Sequence, residues 1–118
     1  MEVCKTFATI AIITCRRPIW LKRLLASLAK QQVDEGTILN ILVVDNANQQ
    51  ATLDVVNEAS LISSYKITYA YEETPGIVAA RNKCVSEFLK TNAQYLFFID
   101  DDEWPAESDW AQNLLNKQ

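Results

Sequence analysis

Residues 95–105, YLFFIDDDEWP, pass in one step from an unbroken apolar run to four consecutive acidic residues. Tyr95 to Ile99 hold no charge, proline or glycine, the composition of a strand enclosed on both faces. Asp100, Asp101, Asp102 and Glu103 follow without a spacer, so their carboxylates crowd one strand end instead of spreading over a solvated helix face. Carboxylates held that close repel and call for a cation. Side chains alternate, so Asp100 and Asp102 can point the same way, and hard oxygen ligands of this kind suit Mg2+ or Mn2+ with a substrate's phosphates completing the shell. The competing reading is an acidic turn that is merely solvated. A position at the carboxyl end of a buried strand favours the ligand site.

Working back from this run, Thr74 and Pro75 open a helix by cap and first-turn preference. Ile77, Ala80, Cys84, Val85 and Phe88 recur along it at helical spacing. With Ile77 at zero and about 100° per residue, Arg81 falls at roughly 40°, inside that apolar stripe. This predicts a guanidinium facing the sheet, able to pair with a ligand at its carboxyl edge. A structural ion pair with Asp45 or Asp100 would explain the same placement. Residues 65–71, YKITYAY, alternate as a strand at a sheet edge does. Residues 38–44, ILNILVV, form a buried strand stopping at Asp45, followed by a turn of Asn46, Asn48 and Gln49. A weaker helix comes next, with Leu53, Val56 and Leu61 as its inner face. Residues 7–13, FATIAII, form the first buried strand. Pro18 then opens a helix over 18–32 that carries Trp20, Leu21, Leu24, Leu25 and Leu28. A short helix over about 108–116 closes the chain.

The resulting β-α-β-α-β-α-β-α order predicts one α/β domain over 1–118: a mostly parallel sheet with right-handed crossovers, helices on both faces and strand order 3-2-1-4. Ligands bind such sheets beyond the carboxyl ends of the strands. Thr14 with Arg16 and Arg17 after strand one, Asp45 after strand two, and the acidic run would converge there. Asp45 can either cap its turn or accept hydrogen bonds from a ribose or a base. Trp20, Trp104 and Trp110 read as packing residues.

Several functions are excluded outright. The chain has no histidine, so Ser-His-Asp and Cys-His catalysis and histidine zinc sites are absent from it. Its two glycines, Gly36 and Gly76, are too far apart for a P-loop or a GxGxxG cradle. A net charge of −4, from 11 basic and 15 acidic residues, gives no footprint for nucleic acid. Cys4, Cys15 and Cys84 read as free thiols in a reducing compartment, which makes the cytoplasm the expected location.

The segments TIAIITCRRP, ILVVDNAN, TPGIVAARN and YLFFIDDDEWP, in this order and spacing, resemble the nucleotide-sugar-binding half of a family 2 glycosyltransferase, which has the Rossmann-like, three-layer GT-A fold. The resemblance runs from about residue 7 to 105. It implies transfer of a sugar, with inversion, from a UDP, GDP or dTDP donor to a saccharide or lipid-linked acceptor. It also implies a Mn2+ or Mg2+ cofactor. Asp45 matches the acidic residue that recognises the base, and Arg81 matches the arginine of the nucleotide pocket. Asp100 to Asp102 occupy the DxD position, with Asp101 at the ribose, Asp100 in support and Asp102 on the metal. The chain has Arg16 where the family often has Asn, and Asn48 where it often has Ser. The family's general base lies in the acceptor-binding half, beyond residue 118. The chain is therefore expected to be a truncated GT-A domain that supplies the donor site and is inactive alone.

Three other readings compete. A haloacid-dehalogenase-like phosphatase also places DxD after an apolar strand, although its nucleophile normally lies on the first. A receiver domain needs acidic residues where this chain has Arg16 and Arg17. A nucleotide-binding module without turnover would retain the same pocket. Strand four, at an edge with no charge, proline or glycine to protect it, is also expected to drive self-association.

Overall fold

The computed structural model describes residues 5–118; Cys4, expected to be a free thiol, lies outside them. Four strands, β1 (Thr6–Thr14), β2 (Thr37–Asp45), β3 (Lys66–Tyr71) and β4 (Tyr95–Phe98), form one parallel sheet in the order β3-β2-β1-β4. The helices between and after them are α1 (Pro18–Leu28), α2 (Gln50–Ile62), α3 (Ile77–Leu89) and α4 (Trp110–Asn116). The register sets Thr14 beside Asp45 and Asp45 beside Tyr71, so three strands end level at the carboxyl edge.

The two faces of the sheet are covered unequally. On one face Ala8, Ile10 and Ile12 of β1 and Leu39, Ile41 and Val43 of β2 pack against Leu21, Leu24, Leu25 and Leu28 of α1, Val56 of α2, and Ala111 and Leu115 of α4. The opposite core is smaller: Ala11, Leu42, Val44 and Ala70 cluster with Ala80 and Cys84 of α3, and Ile13 and Leu96 pack against them. Small side chains on both sides let that helix lie close to the sheet.

Several expectations need correction. Helix α3 begins at Ile77, not at Thr74, because Gly76 takes φ 111° and breaks the helical path. Its buried stripe is the narrow pair Ala80 and Cys84, so Ile77, Val85 and Arg81 are exposed. The inner face of α2 is Thr52 and Val56. Leu61 lies about 180° from Thr52 at 100° per residue and is 86% exposed. Helix α1 stops at Leu28, and Lys30 and Gln31 continue as turns. Trp20 and Trp104 pack at the surface beneath the guanidinium groups of Arg17 and Arg23, at 4.7 and 4.4 Å, and only Trp110 joins the core. Cys15 and Cys84 are free thiols, the first exposed and the second buried. Burial pushes the Cys84 thiol up to about 11. No helix among the described residues is long and apolar enough to cross a membrane.

After β4 the chain returns past α1 and is fastened at the amino edge by a buried glutamine. The side chain of Gln31 donates to the Glu107 carbonyl at 2.8 Å and accepts from the Ala111 amide at 2.9 Å, and the Gln32 amide donates to the Ser108 carbonyl at 2.7 Å. Gln112 Oε1 accepts from both the Asp34 amide and the Thr37 hydroxyl. Gln31→Leu would leave the buried Ala111 amide unpaired, at about 1–3 kcal/mol, whereas the Glu107 carbonyl would keep the Trp110 amide. Urea unfolding should therefore register a loss of about 1–3 kcal/mol. Gln112→Leu, whose partners are more exposed, should lose less; equal losses would show that Gln31 is not the main fastening.

Candidate functional site

The β1–α1 loop turns sharply at Arg16, the non-glycine residue with positive φ (58°) among those described. That turn sends consecutive arginines to different places. Arg16 is exposed and lines a shallow depression with Pro18, Ile19 and Trp20. Arg17 borders this depression too, but reaches Asp101 with its guanidinium, 3.2 Å from Oδ1. Thr14 donates its hydroxyl to the other oxygen, Oδ2, at 2.9 Å. Register explains the second contact: Phe98 pairs with Ala11, and three residues further along each chain bring Asp101 beside Thr14. Asp101 is thus buried and tied on both oxygens, whereas Asp100 and Asp102 on either side are exposed.

These groups open onto a cleft of about 420 Å³ at the carboxyl edge, lined by Thr14, Cys15, Arg17, Ile77 and Asp100 to Asp102. Arg17 is the cation beside the acidic run, and no other ion pair among the described residues involves Asp100 or Asp102. Two carboxylates therefore stay uncompensated at the mouth. Among the described residues no three Cys, Asp or Glu side chains converge to enclose a metal ion by themselves. That donor set fits a Mg2+-like cation, which binds through one or two carboxylates and takes its remaining ligands from water and phosphate.

The second buried carboxylate is Asp45, which has no exposed surface. Its Oδ1 accepts from the Ala47 amide at 2.9 Å and its Oδ2 from the Tyr69 hydroxyl at 2.8 Å. Asp45 thus caps its own turn and does not line the cleft. The Arg81 side chain has no hydrogen bond or ion pair among the described residues and does not line the cleft, so the structural pair with Asp45 or Asp100 is not formed. The sequence reading placed Thr14 and the acidic run correctly together. It grouped Arg17 with Arg16 at that strand end but singled out Arg16, and it did not name Cys15 or Ile77 as cleft residues. Arg17 could have been separated from Arg16 only by knowing which of the two takes the left-handed turn.

A parallel 3-2-1-4 sheet flanked by helices, with an acidic run at its carboxyl edge, defines the Rossmann-like α/β class to which GT-A glycosyltransferases belong. The chain belongs to glycosyl transferase family 2, which matches residues 9–118. This membership decides against the phosphatase and receiver readings. Among solved structures, the chain is similar to the mannosyltransferase PcManGT from Pyrobaculum calidifontis in complex with GDP-Man and Mn2+, with TM-score 0.77, 16% identity, 94% of this chain and 32% of that one. It is also similar to S. aureus TarS 1-349 in complex with UDP, with TM-score 0.69, 23% identity, 94% of this chain and 31% of that one. A third similar structure is TarS 1-349 in complex with UDP-GlcNAc, with TM-score 0.63, 22% identity, 95% of this chain and 29% of that one. The chain thus spans about a third of the length of these proteins. No curated protein sequence matches it.

The Tyr69–Asp45 contact is open to a direct check. Burial first, then the hydrogen bond to Asp45 and the charge of that carboxylate, push the Tyr69 phenol up to about 12. An unfolded tyrosine titrates near 10. The stabilisation is therefore complete below pH ~10 and is lost as pH rises through the folded value. Tyr69→Phe is expected to cost about 1.5–3 kcal/mol at neutral pH, the range for a hydrogen bond to a charged group. Its unfolding free energy should also fall less steeply than that of the wild type above pH ~10. Parallel pH profiles would show that the contact carries no such energy.

Proposed function

We propose that the cleft binds the diphosphate of a nucleotide-diphosphate sugar together with Mn2+ or Mg2+, and that the chain supplies the donor and metal site for sugar transfer with inversion. The observation that carries this reading is the pair of exposed, uncompensated carboxylates, Asp100 and Asp102, flanking the tied Asp101. When bound, the cation supplies neutralisation of the charge that builds on the departing diphosphate. Asp102 is the residue assigned to hold it. Asp101, with both oxygens engaged, orients the run, and Asp100 is the carboxylate left free for the ribose. Thr14 fixes Asp101 from β1. Asp45 serves the nucleotide by holding the 46–49 turn, since its own oxygens are enclosed. Arg81, exposed and unpaired among the described residues, is available to the nucleotide at no cost to the fold, and Arg16 is assigned to the outer rim. The complexes of the similar proteins with GDP-Man and Mn2+ and with UDP support the ligand class.

Calorimetric titration of UDP, GDP and dTDP tests the reading. Binding is expected with Mn2+ and should disappear in EDTA and in Asp102→Ala; unchanged affinity in EDTA would overturn it. Arg81→Ala should weaken nucleotide binding by about 1.5–3 kcal/mol with an unchanged melting temperature. A drop in melting temperature with intact affinity would make Arg81 structural instead.

The edge of β4 supports a second proposal, that the chain associates with a second copy of itself. Among the described residues β4 pairs only with β1, and none of Tyr95 to Phe98 protects the outer edge with charge or proline. Sedimentation equilibrium should show mass above that of the monomer at high concentration, reduced by Phe97→Lys or Phe98→Lys. A monomer throughout would refute the association.

A further inference from the structure

Asn46 joins three of the four strand ends at the cleft. Its backbone amide donates to the Thr14 carbonyl at the end of β1, at 2.9 Å. Its side chain is spent entirely on the loop between β3 and α3. Nδ2 donates to the carbonyls of Glu72 and Thr74, both at 2.9 Å, and Oδ1 accepts from the Gly76 amide at 3.0 Å. The loop receives little other support: the Glu72 amide reaches the Asp45 carbonyl, and the Thr74 amide reaches the Glu72 side chain.

Gly76 takes φ 111° and ψ 157°, a region essentially reserved for glycine. A Cβ there would meet nothing within 4 Å, so it is the backbone conformation, not crowding, that demands glycine. Helix α3 starts at the next residue, and that residue, Ile77, shares the cleft with Asp100 to Asp102. Through Thr14, whose hydroxyl holds Asp101, Asn46 is connected by hydrogen bonds to both walls: to the acidic run by its backbone and to the first turn of α3 by its side chain.

We infer that Asn46 is a positioning residue for the nucleotide diphosphate, a latch that holds the start of α3 at a fixed place relative to the acidic run. This inference rests on the cleft being the diphosphate site. Without the latch, residues 72–76 would have to be ordered when ligand binds, and affinity would fall by that ordering cost. The side-chain amide touches no part of the cleft's lining and acts only through the loop.

The test is a double-variant cycle on the full chain, with the dissociation constants of UDP and GDP measured in Mn2+ well below each melting temperature. Asn46→Ala and Gly76→Ala should each weaken binding about tenfold or more, and the double variant should be no weaker than the worse single one, because both act through one loop. Gln31→Leu, destabilised at the opposite edge of the sheet, should bind as the wild type does. Additive losses, wild-type affinity in Asn46→Ala, or an equal loss in Gln31→Leu would each overturn the inference and leave the diphosphate reading intact. Failure of the wild type to bind either nucleotide would overturn both.

Discussion

A carboxylate withdrawn from water has to be met by hydrogen-bond donors, and the carboxyl edge of this sheet withdraws two. Asp45 requires the Tyr69 hydroxyl and the Ala47 amide; Asp101 requires the Thr14 hydroxyl and the Arg17 guanidinium. Each demand recruits a group from a neighbouring strand or its loop, so satisfying both carboxylates fixes how the ends of β3, β2, β1 and the acidic run stand relative to one another. Arg17 is half exposed, and its ion pair is screened accordingly. Its value lies in direction: it holds Asp101 so that Asp100 and Asp102 remain outside, with their charge unspent.

This division of one acidic run into a buried anchor and two exposed neighbours separates a site from a solvated turn. Were all three aspartates exposed, their spacing would drift with the loop. Were all three tied, none would be left for a cation. Cover on the other face of the sheet is correspondingly slight, a single helix that buries one alanine and one cysteine against it. The beginning of that helix is placed by hydrogen bonds from Asn46 more than by apolar contact.

The architecture was legible because strands and amphipathic helices announce themselves by period. The β-branched runs at 7–13 and 38–44, the leucines of α1 and the crossover rule together lead to the 3-2-1-4 order that the structure has. Period failed where the apolar stripe was ambiguous. In α3, Ile77, Val85 and Phe88 drew the expected inner face towards Arg81, whereas the residues the helix buries against the sheet are the small Ala80 and Cys84. The polar framework was illegible for a different reason. Gln31, Asn46 and Arg17 act on partners 26 to 84 residues away, and nothing in their neighbours along the chain marks a polar residue that will be enclosed by such partners. Sequence placed the carboxylates at the right strand ends, but which of them would be buried depended on register and on one left-handed turn at Arg16.

The span of the Thr14–Asp101 contact bears on the order in which the molecule comes together. These two residues are 87 positions apart. The β1–β2 and β2–β3 pairings close across single crossovers of about a third of that length or less, so the entropy of joining β4 to β1 directly is higher by roughly 1 kcal/mol. β4 also offers only four residues of pairing in return. Nascent chain can therefore set β1, β2 and β3 with their helices before β4 has anything to add to, and the acidic residues stay apart from Thr14 and Arg17 until then. Until β4 has joined β1, Asp101 has neither Thr14 nor Arg17 to hold it, and the cleft has no fixed place for a cation. Folding to completion and competence to bind become the same event.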